Sequence, residues 1–113
     1  MRKAIKLNID GTTETLDLDV ESTLGVLQEA VDGYIDLIQL NPSLNMYIND
    51  EGKFTQEPNP YATHMFRAVY NTPDFISGPV VFVGGVDSEG NDTELARPFV
   101  QIIEGLKESV RVW

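Results

Sequence analysis

The chain has 113 residues, with 18 acidic and 8 basic side chains, a net charge of −10, 42% hydrophobic residues and no cysteine. This length supports one domain with a single core and no second catalytic domain. The absence of thiols excludes disulfides, zinc-thiolate sites and cysteine nucleophiles. The longest aliphatic or aromatic run, Val80-Val81-Phe82-Val83, is far short of the roughly 20 apolar residues of a membrane span. Residues 1–6 lead into an alternating pattern unlike a signal peptide, so no membrane association and a cytoplasmic location are expected.

Ile5, Leu7 and Ile9 alternate with polar residues, as do Leu16, Leu18 and Val20, so both stretches read as half-buried strands. Asp10-Gly11 between them is a turn signal and predicts a hairpin, in which Lys6 can face acids of the neighbouring strand. Ser22 or Thr23 can cap a first helix over residues 23–32, with Leu24, Leu27 and Val31 on one face and Gly33 as its stop. Residues 34–40 and 44–49 read as two further strands around Asn41-Pro42-Ser43, and Asp50-Glu51-Gly52 as a turn towards Lys53-Phe54.

Asn59 before Pro60 marks a second helix start, since asparagine can cap free amides and proline at the first helical position loses no hydrogen bond. Ala62, Met65, Phe66 and Val69 share its apolar face. Val80 to Val83 is a fifth strand, stopped by Gly84-Gly85, and residues 87–94 contain no apolar anchor and read as a mobile exposed loop. Phe99, Ile102, Ile103, Leu106 and Val110 then follow helical spacing, in a last helix that packs on the sheet or on another subunit. The predicted fold is a single α+β domain in the order ββαββαβα, with a mixed or antiparallel sheet of about five strands and two or three helices. It divides into a core over residues 4–85, an acidic loop over 86–97 and a C-terminal helix over 98–113.

The charge is unevenly placed. Between Leu7 and Gly52 lie ten acids and no lysine or arginine, whereas the remaining chain carries eight of each sign. A block of this kind repels nucleic acid and favours basic partners, although solvated acidic faces also serve solubility alone. On the second strand Asp17, Asp19 and Glu21 would share one face at about 6.7 Å spacing. That is about two base-pair steps of a duplex with phosphates about 3.4 Å apart along each strand. A phosphate-like surface would need Glu14, Asp36 or Asp50-Glu51 to lie alongside.

Catalytic and metal signatures are weak. His64, the sole histidine, has no triad partner in a recognisable motif, and no carboxylate pair stands out. The 87–94 loop resembles a calcium loop but places Asp92 where the glycine turn belongs and Pro98 where the bidentate glutamate belongs. No enzyme activity, metal or cofactor is expected.

Four blocks, Leu27 to Asp36, Tyr47 to Lys53, Pro58 to Thr63 and Ile76 to Gly84, resemble the DUF3846 family of uncharacterised small bacteriophage and bacterial proteins. The resemblance spans roughly residues 4–85 and leaves out the tail from Val86. It implies phage origin more than a mechanism. The blocks fall mostly at turns, and read as caps and turn residues unless they converge on one ligand pocket.

The expected function is therefore that of a phage-encoded accessory protein that binds and inhibits or redirects a host nucleic-acid-handling or defence enzyme. The binding surface would be Asp17, Asp19, Glu21, Asp36, Asp50 and Glu51, facing a basic surface of the partner, with no direct binding of nucleic acid. A second reading is a binder of a nucleotide signal whose pocket uses Tyr34, Asn49, Lys53, Asn59 and Arg67. A third is a domain whose acidity only keeps it soluble. A homo-oligomer through the last helix is a further expectation.

Overall fold

In the computed structural model, which describes residues 2–18 and 22–110, the first hairpin joins β1 (Lys3–Leu7) to β2 (Thr13–Asp17). Next come α1 (Thr23–Val31), β3 (Ile35–Asn41), β4 (Leu44–Asn49), the single helical turn α2 (Gly52–Thr55) and α3 (Pro60–Val69). The chain continues through β5 (Val80–Val83), α4 (Arg97–Glu104) and α5 (Leu106–Ser109). The five strands form one antiparallel sheet in the order β2-β1-β5-β4-β3.

Both faces of the sheet are covered, which explains why β5, at its centre, is apolar at every position. Ile5, Leu7, Met46, Val80 and Phe82 pack on one side against Tyr61 and Ala62 of α3 and against Ile103 and Leu106 of the C-terminal helices. Ala4, Val81 and Val83 pack on the other side against Leu27, Ala30 and Val31 of α1. The apolar stripe of the last helix is therefore core: Ile103 and Leu106 are buried, Phe99, Val100 and Val110 lie against them, and Ile102 points outward.

Three elements differ from their sequence reading. The second strand, expected over residues 16–20, lies three residues earlier, because Thr13 to Thr15, which carry no apolar alternation, pair with Leu7 to Ile5 at the edge of the sheet; the turn takes up Asn8 to Thr12. Asn8 N–H donates to the Thr12 carbonyl at 2.9 Å, Gly11 N–H donates to the Asn8 carbonyl at 3.0 Å, and the first strand pair is Leu7 with Thr13. Lys6 then opposes Glu14, at 3.7 Å, as the hairpin suggested. Residues 52–55 form a helical turn where a plain turn was expected, and the last helix breaks at Gly105. The 87–94 loop is exposed but tied down: Asp87 accepts from the Glu89 and Asn91 amides, Thr93 pairs with Gly84 and Gly85, and Tyr47 donates to Asp92. Polar groups thus supply the anchors that apolar residues do not.

Helix ends follow the expected chemistry. Ser22 caps α1 by accepting from the Gly25 amide at 3.1 Å, and Asn59 caps α3 by accepting from the Ala62 amide at 3.0 Å. The stop of α1 falls on Asp32, which takes the left-handed conformation at φ 58° immediately before Gly33.

Asn59 has no exposed surface, and its amide nitrogen donates to the carbonyls of Leu7 at 3.2 Å and Gly78 at 2.9 Å. Replacing it with alanine removes a cap worth about 1 kcal/mol and orphans two buried carbonyls, at about 1–3 kcal/mol in total. Asn59→Ala should therefore lower unfolding free energy in urea by about 3 kcal/mol. Asn59→Asp keeps the cap acceptor but sets a carboxylate against both carbonyls, so it should be no more stable than alanine at neutral pH and should recover partly in acid. A loss below about 1 kcal/mol in both variants would contradict this role.

Candidate functional site

The antiparallel pairing of β3 with β4 places the start of one strand beside the end of the other: Ile35 opposes Asn49 and Asp36 opposes Ile48. Asp50 N–H closes this end by donating to the Tyr34 carbonyl at 3.1 Å. As a result Asp32, Asp36, Asp50 and Glu51, all exposed, gather where α1 ends, β3 begins and β4 runs into α2.

Two amide side chains hold this junction. Asn49 donates to the carbonyls of Val31 at 3.1 Å and Asp32 at 3.0 Å and accepts from the Glu51 amide at 2.8 Å. Gln56 donates to the Val31 carbonyl at 3.0 Å. These are carbonyls at the C-terminal end of α1, which have no partner inside the helix. The backbone of residues 76–78 closes the junction from the other side: Asn59 N–H donates to the Ile76 carbonyl and Gly78 N–H to the Glu57 carbonyl, both at 2.8 Å. Gly78, at φ +78°, leaves no room for a side chain, since a Cβ would lie 1.9 Å from Gln56 Oε1.

Two clefts open here. The larger, about 290 Å3, lies between β3, β4, α2, α3 and residues 74–77. Asp36, Asp50 and Asp74 line it with Lys53, Phe54, Phe66, Phe75 and Ser77. The smaller, about 250 Å3, lies on the other side of Asn49 and Asp50 and includes Tyr34, Glu51 and Gln56. Within the larger cleft Lys53 bonds Asp74 and lies 5.4 Å from the centre of the Phe75 ring. The bond from Lys53, followed by one from the Phe75 amide, lowers the Asp74 pKa from its ordinary value. Phe54 is 89% exposed, unusual for so large an apolar side chain.

The family model for a domain of unknown function, DUF3846, matches residues 1–107 of the chain. The chain belongs to the DUF3846 family. The match reaches past Val86, so the acidic loop, α4 and the start of α5 belong to the DUF3846 domain, further than the four sequence blocks extend. A search of curated proteins and of solved structures finds no match to the chain.

In this DUF3846 domain the four blocks do converge. Their side chains act mostly as brackets and caps, and the five residues read as one pocket do not line one pocket. Asn49 and Lys53 line the larger cleft, Tyr34 and Asn49 the smaller, and Asn59 and Arg67 neither. Asn59 is spent inside the fold. Arg67 donates to the carbonyls of Pro73 at 2.7 Å and Asp74 at 2.9 Å and so fixes the loop that carries Asp74 and Phe75.

The acidic residues also divide. Asp36, Asp50 and Glu51 come together, whereas Asp17 ends β2 at the opposite edge of the sheet, four strand spacings or about 19 Å away. Asp19 and Glu21 lie outside the described residues. Glu14 shares a strand with Asp17 but points to the other face, as alternation requires. The continuous acidic surface anticipated from the sequence is thus at least two surfaces, because β1, β5 and β4 separate β2 from β3.

His64 is exposed on α3, and no group of three or more metal-ligating side chains occurs among the described residues. Sequence reading took residues 74–78 only as one of the turn segments that could converge on a pocket, and gave no individual role to Phe54, Gln56, Asp74, Phe75 or Ser77. Asp74 and Ser77 sit at turns of the fourth block and its approach, and an aromatic beside Lys53 was a possible signal for Phe54; nothing local marks Gln56.

The Asp74 pair has a pH signature. Because its folded pKa lies below the ordinary value of 3.8, the pair stabilises the fold above that value and ceases to do so as pH falls through the lowered one. Carboxyl NMR titration should show Asp74 titrating below the usual range, and Lys53→Met should move it upward. An unchanged midpoint in Lys53→Met would contradict the pairing.

Proposed function

We propose that this DUF3846 domain is a phage-encoded, non-enzymatic accessory protein that binds a host protein through an acidic surface. The observation that supports this most is the gathering of exposed Asp32, Asp36, Asp50 and Glu51 at one end of the sheet. These acids come from the 46-residue stretch without a basic residue, and among the described residues Lys53, bonded to Asp74, is the one lysine or arginine that lines their clefts. Such a surface attracts lysines and arginines that otherwise hold nucleic-acid phosphates, and opposite charge speeds the encounter. A host nucleic-acid-handling or defence enzyme fits that chemistry. The β2 edge, with Asp17, is not part of this surface.

Sequestering a nucleotide signal has less support. The cations it would need, Lys53 and Arg67, are engaged with Asp74 and with the carbonyls of residues 73–74, and Asp36, Asp50 and Asp74 line the cleft that holds Lys53.

The test is capture from bacterial lysate with wild-type protein and with Asp36→Lys combined with Asp50→Lys. Wild type should retain a nucleic-acid-binding enzyme that elutes with salt, and the double variant should lose at least about tenfold of it, as expected for removing charge pairs worth more than about 1.4 kcal/mol. Equal retention by both proteins, or retention that salt does not weaken, would refute the acidic-surface reading. In that case the charge serves solubility.

A further inference from the structure

The larger cleft carries features that surface acidity does not require. Ser77 is 5% exposed, lines this cleft, and its hydroxyl is buried without a hydrogen-bond partner. An unpaired buried hydroxyl is unfavourable unless something supplies the partner. The same cleft is lined by Asp36 and Asp50, with no lysine or arginine in the lining other than Lys53, and Lys53 is bonded to Asp74. Phe54 and Phe75 add exposed aromatic surface, and Phe66 extends the apolar wall.

Resting on the binding reading above, we propose that this cleft receives an arginine side chain of the basic partner. The guanidinium is planar and always charged, with five donors, so it can meet two carboxylates and a hydroxyl at once and stack its face on an aromatic ring. Its apolar stem matches the phenylalanine walls. A phosphate group fails the same criteria, because three carboxylates line the cleft against one engaged ammonium. A lysine ammonium or a polyamine meets the charge but not the planar surface.

The probe is N-acetyl-arginine amide, followed by amide NMR shifts of the full chain. N-acetyl-lysine amide, free spermidine and AMP serve as comparisons. Saturable shifts should centre on residues 36, 50, 54 and 75–77, with a dissociation constant of about millimolar order, as suits a single side chain. Lysine amide and spermidine should bind several-fold more weakly, and AMP should leave these residues unshifted. Ser77→Ala should weaken arginine binding about tenfold, the scale of a hydrogen bond to a charged group. Phe54→Ala, at an exposed position, should weaken it several-fold without affecting folding.

Three results would overturn the proposal: no saturable shift at these residues, equal affinity for spermidine, or arginine binding unchanged in both Ser77→Ala and Phe54→Ala. Applying Phe54→Ala to the captured partner separates the two readings. If Asp36→Lys with Asp50→Lys abolishes capture while Phe54→Ala leaves it intact, the acidic surface stands and the arginine cleft falls. If neither affects capture, the surface reading falls as well.

Discussion

Asn59 brings a polar amide into the interior of the domain and leaves none of it exposed, which is tolerable only because donors and acceptor are all used. Its oxygen starts α3, and its nitrogen holds the ends of two segments, Leu7 at the close of β1 and Gly78 before β5. The same residue's backbone N–H bonds Ile76. The start of α3, the end of β1 and the segment before β5 are thus tied together at one residue. Asn49 and Gln56 repeat the device on the other side of the junction, where they satisfy the end of α1.

This bracketed junction is also where charge gathers. Turns are polar and exposed, so acids accumulate there without harming the core. The antiparallel pairing of β3 and β4 then brings acids distant in sequence together: Asp36 with Asp50, and Asp74 through the loop that Arg67 fixes. The rigidity of the junction comes from amides and backbone, which leaves the side chains of Asp50, Glu51 and Phe54 at its surface uncommitted to folding.

Much of the fold was legible in the sequence, because it rests on local rules. The bounds of β4 and β5, the start of α3 at Pro60 and the cap at Ser22 follow from alternation, proline placement and capping chemistry. The bounds of β2 were not legible, since it is an edge strand that starts with Thr13-Glu14-Thr15, where no apolar alternation marks a strand. The site was legible only as parts. Asp36, Asp50, Glu51, Asn49 and Lys53 were singled out from charge and resemblance, but strand order decides which acids are neighbours, and it parts Asp17 from them. Gln56 matters through its bond to Val31 and Ser77 through its place in the cleft, both set by residues far along the chain, which no local pattern encodes.

The central claim is that the β3–β4 end, and not acidity in general, is the binding surface. The most direct test is an amide-resolved NMR titration of the full chain with a short arginine-rich peptide at low and moderate salt. The account expects shifts concentrated at residues 36, 50 and 51 and in 74–77, with β2 around residues 14–17 largely silent. Shifts spread equally over both edges of the sheet and fading together with salt would contradict it, and would leave the charge as a property of the whole surface.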